Sequence, residues 1–303
     1  MKKILTYLLI FISALILFSC DKPAPTQLID DDNSNKLEVE LLNSNLSDQY
    51  LTSGSDTSGI TQDLTGISNI ISVSGIKITT ENRTREFSLA QAMFFNKSQP
   101  INYSNGRLLA YKTITPGTIN FNGTEANIVP YRIKFRDMGM QKDTLVGNKY
   151  LLHNIFGGFP DPFYFSYNSS VSFEFIPSGG GGNISFNIPT PQEIYGSVSL
   201  TGSRNSNNLE VLLSWNPIGD KKVTVIVGVM RPNQVSSIPV YRMRTGDDGV
   251  LRIPGRYFNQ LPLENFEKIV FTFIRSIEGY HGNGNNELFV SSQSIHSIVI
   301  DIP

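Results

Sequence analysis

Lys222-Val223-Thr224-Val225-Ile226-Val227-Gly228-Val229-Met230 carries valine at every second position, so Val223, Val225, Val227 and Val229 share one face of an extended chain. A helix would scatter these positions around its circumference, whereas a strand stacks them on one side. β-Branched residues also suit a pleated, half-buried surface. The stretch is therefore read as a core-facing strand of a sheet. The composition agrees: 27 Asn against six Ala, with 19 Phe and 12 Tyr, favours turns and strands over helices.

Outward from this strand the same alternation marks Leu209–Trp215, Ile238–Met243, Val250–Ile253, Ile269–Ile274 and Ile295–Ile302. Only Gly255–Gln260, between Pro254 and Pro262, reads as a helical turn. Residues 196–303 are thus expected to form an immunoglobulin-like or related β-sandwich, without the Cys-Trp-Cys pattern of a true immunoglobulin domain. Toward the N-terminus, strands are expected at Leu37–Leu41, Ile70–Thr79, Phe87–Phe95, Leu108–Ile114, Thr118–Phe121, Ile128–Phe135, Tyr150–Ile155 and Val171–Phe175. Asn105-Gly106, Pro116-Gly117, Asn122-Gly123 and Gly147-Asn148 supply turn chemistry between them. The fold class is all-β, with two antiparallel β domains at 37–177 and 196–303. A Gly-rich linker at 178–195 separates them and begins with the tetrad Gly179–Gly182, itself a flexible linker or a long hairpin tip. That tetrad is not a phosphate loop, because a strand-like Ile184-Ser185-Phe186 follows where a Lys-Ser/Thr and a helix are needed.

Lys2 and Lys3 precede the apolar run Ile4–Phe18, too short for a bilayer-spanning helix and shaped like an export signal. The run closes on Leu17-Phe18-Ser19-Cys20, which resembles the lipobox of bacterial lipoproteins. The resemblance implies a signal peptide at 1–19 and a Cys20 carrying a thioether diacylglycerol and an amide-linked acyl chain such as palmitate. It also implies anchorage in the bacterial cell envelope, with the outer membrane favoured. Cys20 is the single cysteine of the chain, so the mature protein has no disulfide and no thiolate chemistry. Residues 20–36, polar and containing Asp30-Asp31-Asp32, read as the lipidated cysteine and a solvated tether. Asn43–Ser68, rich in Ser, Thr and Gly, is longer than an ordinary loop and is either mobile or functional.

A formal net charge of −1 gives no electrostatic basis for nucleic-acid binding. His153, His281 and His296 stand alone in sequence, without ligand spacing for a metal, and no Gly-x-Ser-x-Gly elbow occurs. Asp247-Asp248-Gly249 reads as a turn into a strand rather than an acid pair. Neither a metal nor a cofactor is expected. The feature with binding chemistry is Phe156–Tyr167, which holds six aromatic rings punctuated by Gly and Pro: either they close one end of the N-terminal domain or pack against the second, or some remain exposed as a platform for sugar rings or hydrophobic peptide. Phe159, Phe163 and Tyr164 there, with Tyr280 and His281 in the Gly/Asn-rich loop 279–286, are the candidate ligand-binding residues. The reading is a membrane-anchored, non-catalytic binding or structural module with a glycan or an envelope protein as partner. The alternative is an exported glycan hydrolase with a dispersed carboxylate pair.

Overall fold

A computed structural model describes residues 27–29, 37–42, 69–154, 163–180, 182–203, 206, 208–234, 236–282 and 287–303. The fold is all-β. One long sheet runs through the molecule. Its first half contains β1 (Gln27–Ile29), β2 (Leu37–Leu41), β15 (Ile238–Asp247), β14 (Gly219–Met230), β17 (Lys268–His281) and β18 (Leu288–Asp301), in that spatial order. It continues through β3 (Asn69–Thr80), β4 (Arg83–Asn102), β9 (Met140–Asn154) and β8 (Asn127–Asp137), with β5 (Leu108–Ile114) also on β4. Neighbours are antiparallel except β18 and β3, which pair in parallel from Phe289↔Ile70 to Ile298↔Thr79. No described helix is long and apolar enough to cross a membrane.

Two smaller sheets lie against the inner face of the long one. The first is β12 (Gly196–Thr201), β13 (Glu210–Trp215) and β16 (Val250–Ile253); the second is β11 (Ile184–Pro189), β10 (Ser170–Pro177), β6 (Gly117–Phe121) and β7 (Thr124–Glu125). Val223, Val225, Val227 and Val229 meet Val211, Leu213, Leu251 and Ile253 in one core, closed at its end by Tyr257 and Phe258 of the short α1 (Arg256–Asn259). Ile71, Val73, Ala90, Ala92 and Leu152 meet Phe121, Val171, Phe173 and Ile188 in the other. β18 belongs to both, because Leu288 and Val290 enter the second core while Ile298 and Ile300, followed by Ile302 just past the strand, enter the first.

Several expectations change at this level. Residues 178–195, expected as a linker, contain β11, which pairs with β10 from Ser170↔Pro189 to Phe175↔Ile184; the Gly-rich run is the tip between the two strands. The tether expected at 20–36 includes β1, which pairs with β2 at Gln27↔Val39. Gly147-Asn148 is not a turn. It lies inside β9 where the pairing with β8 shifts register, and a Cβ on Gly147 would come within 2.4 Å of Thr113 Oγ1. The turn between β8 and β9 falls instead at Met138-Gly139, both with positive φ. Cys20, residues 1–19 and residues 43–68 lie outside the described residues.

Candidate functional site

Titratable side chains converge where the chain passes from β11 to β12, between the two inner sheets and over β17 and β18. Residues 190–195 are held there by hydrogen bonds to residues remote in sequence. Thr190 Oγ1 donates to Ser166 O at 2.6 Å, Ile194 N to Ser294 Oγ at 2.9 Å, and Tyr195 N to Asn216 Oδ1 at 2.6 Å. The next residue, Gly196, rides so close to Phe273 that a Cβ would sit 2.4 Å from the ring.

Beneath this crossing lies a buried ion pair. Arg275, in phase with Phe271 and Phe273 on β17, is fully enclosed, and its Nε and Nη2 each donate to Asp247 at 3.0 Å. Its remaining donors reach Glu193 O at 3.1 Å and Asn216 O at 2.7 Å. Trp215 Nε1 also donates to Asp247, at 2.8 Å. Every strong donor of the guanidinium is thus directed at an acceptor, which is the condition under which a buried charge is tolerated.

Above it, Lys77 Nζ lies 2.6 Å from Glu193 Oε1 and 3.0 Å from Glu86 Oε1, and 4.4 Å over the Tyr195 ring. Tyr195 donates to Glu193 as well. Burial is the largest single influence on the Lys77 ammonium and pulls its pKa down, but the hydrogen bonds and charges of the two glutamates outweigh it and leave the value raised. Glu86 and Glu193 are therefore no farther apart than a hydrolytic carboxylate pair would be. The Lys77 ammonium, however, occupies the space where a sugar oxygen or water would have to stand. Lys77 thereby ties β3 to β4 and to the passage between β11 and β12.

His296 completes the cluster. Gly196 N–H donates to Nδ1 at 2.8 Å, so Nε2 carries the proton and donates to Thr79 Oγ1 at 2.9 Å. Burial first, and the Lys77 charge second, hold its pKa down at about 4. Protonating Nδ1 would set a second donor against the Gly196 N–H. Because the unfolded chain takes up this proton nearer pH 6.5, stability should fall as pH drops from about 6.5 to about 4 and level off below that. The loss should be on the order of 1–2 kcal/mol once solvent screening is allowed for. Denaturation curves of wild type and His296→Gln across that window check it; parallel slopes in the two proteins would assign the proton to another group.

Of the residues expected to bind ligand, Phe163 is 2% exposed and packs edge-on against Phe121 in the core, which corrects its assignment. Tyr164, its neighbour, is 64% exposed. Phe159 lies outside the described residues. Tyr280 is 58% exposed with its ring edge on Phe289, and His281 stacks on Phe186 of β11 at 3.9 Å. Asp248 accepts from Val250 N at the turn, while Asp247 is the buried partner of Arg275. Among the described residues no group of His, Cys, Asp and Glu has the geometry of a metal site.

No protein-family model matches the chain, and no curated protein matches it. Among solved structures, the yeast delta-COP-I mu-homology domain aligns over 77% of this chain and 95% of its own length, at 7% identity and a TM-score of 0.21. A likeness of that size carries no argument about fold or function.

Proposed function

We propose that the chain is a bacterial envelope lipoprotein, anchored through Cys20, whose β-sandwiches form a non-catalytic binding module. One observation supports the non-catalytic part: among the described residues, the titratable cluster at the β11–β12 passage is held in ion pairs and in hydrogen bonds that tie strands together. Lys77, Glu86, Glu193, Asp247, Arg275 and His296 all serve the crossing between the two inner sheets. Among the described residues the surface carries aromatic rings at Tyr164 and Tyr280, with the His281–Phe186 stack on the other side of β17. Such faces suit a sugar ring or an apolar peptide side chain, which bind by stacking and area burial. The anchor is supported by the lipobox resemblance at Leu17–Cys20.

The test has two arms. Cys20→Ser should lose the acyl mass and leave the membrane fraction, and unchanged partitioning would remove the anchor. Tyr164→Ala/Tyr280→Ala should reduce retention on a glycan array or in an envelope-protein pull-down at least tenfold. Both rings are largely exposed, so the melting temperature should stay within about 2 °C. Equal retention by the double variant, or turnover of a glycan by the wild type, would overturn the binding reading.

A further inference from the structure

The turn between β8 and β9 runs against its own conformational preference. Among the described residues, four that are not glycine have positive φ, and three of them are Asn122, Asn168 and Asn233. The short amide of asparagine tolerates the left-handed region, whereas a longer side chain crowds the backbone there. The fourth is Met138, at φ 51°. It is 73% exposed, and Met140, just past Gly139, is 62% exposed. Neither belongs to any of the apolar clusters that hold the fold together. Asn-Gly would serve this turn better, so two wet methionines here point to a use outside the fold.

The base of the turn is fixed and its surroundings are basic. Asp137, buried beneath it, accepts hydrogen bonds from Ser104 N at 3.1 Å, Ser104 Oγ at 2.5 Å and Lys142 Nζ at 2.7 Å. Tyr103 packs edge-on against Phe135 at 5.6 Å. These contacts fasten the turn 103–107, between β4 and β5, to the turn between β8 and β9, so the two turns share one end of the long sheet. Residues 87–154, which supply that end, hold eight Lys and Arg against three acids, a surplus of five positive charges in a chain whose formal net charge is −1. Two of the three acids are paired, Asp137 with Lys142 at 2.7 Å and Asp143 with Arg132 at 2.9 Å. Lys97, Arg107 and Lys112 are exposed.

We propose that this end of the sheet is a membrane-contacting tip, separate from any anchor at Cys20, with an anionic bilayer surface as its partner. Met138 and Met140 enter the boundary between headgroups and acyl chains, and the surrounding positive charge meets the lipid phosphates. The methionines decide between a bilayer and a polyanion free in water. Their side chains offer no strong hydrogen bond, and a nucleic acid or an acidic protein lying on the basic surface would leave them wet. A bilayer takes them in directly beneath its layer of phosphates.

A fluorophore at the tip tests this in the full chain. In Cys20→Ser/Met140→Cys the engineered cysteine is the single thiol, and an environment-sensitive dye on it reports the tip alone, whatever else holds the chain to lipid. Its emission should shift to the blue and rise at least twofold on vesicles containing phosphatidylglycerol. It should change little on phosphatidylcholine vesicles, and the response should fade as added salt shortens the screening length. Adding Met138→Asn should cut the response at least fivefold while the melting temperature stays unchanged or rises, because asparagine suits the left-handed turn. Adding Arg107→Gln/Lys112→Gln should cut it at least threefold. Equal response on the two kinds of vesicle, no response in a protein of native melting temperature, or a full response from the Met138→Asn protein would overturn the proposal. So would an equal blue shift with single-stranded DNA in place of lipid, which would make the tip a polyanion site.

Discussion

Asp247→Asn is expected to lower the unfolding free energy by about 3–5 kcal/mol, the cost of leaving a buried charge without its partner. The substitution keeps the side-chain volume and one carbonyl oxygen, so it isolates the charge. Arg275 would remain enclosed, facing the carbonyl oxygens of Glu193 and Asn216 and one neutral amide in place of a carboxylate. Those carbonyls belong to the passage between β11 and β12, so the loss should loosen the contact between the two inner sheets as well. Chemical denaturation measures the loss directly. The double change Asp247→Leu/Arg275→Met should regain much of it, because an apolar pair has no ionic desolvation to offset; the stranded Trp215 Nε1 should keep recovery incomplete. An Asp247→Asn protein within about 1 kcal/mol of wild type would show that water reaches the guanidinium and that the pair is not the lock.

The alternation at Val223–Val229 was enough to place the first core, and all four valines are fully buried in it. Val250–Ile253 was legible to the residue for the same reason, and Leu108–Ile114 from its bounding turn signals. What escaped was polar sequence in buried positions. β18 starts at Leu288 rather than Ile295 because Ser291-Ser292-Gln293-Ser294, which reads as solvent-facing, is held between β17 and β3 with both faces covered. Period-two reasoning assumes one wet face, and this strand has none. The aromatic run reads as either core or platform, and its described part is both. Phe163-Tyr164-Phe165-Ser166 alternates inward and outward, so its rings are divided between core and surface rather than shown together. Arg275 did carry a signal, a charge in phase with Ile269, Phe271 and Phe273, and a charge at a core phase implies a buried partner. That the partner would be Asp247, 28 residues earlier, depended on pairing across β14, which a single strand's pattern does not contain.

The two halves are expected to unfold as one. The sequence divides them near 178–195, but the strand that holds them together comes last in the chain. β18 pairs with β17 along fourteen residues on one edge and with β3 along ten on the other. Its Leu288 and Val290 complete the core over β3 and β4, while Ile298, Ile300 and Ile302 complete the core under β13 and β16. Neither sandwich can lose this strand without opening the other, so calorimetry should give a single transition with calorimetric and van't Hoff enthalpies in agreement. The fragments should differ. Residues 196–303 contain every pairing from β12 to β18 and should retain a cooperative melt of reduced stability. Residues 69–195 would expose the whole edge of β3 and two apolar gaps left by Leu288 and Val290, an edge that invites aggregation. They should not fold alone, and should recover structure when 196–303 is supplied in trans. Two resolved transitions in the intact protein, or a cooperative melt from 69–195 by itself, would mean that the parallel β18–β3 pairing joins two folds that each stand without it.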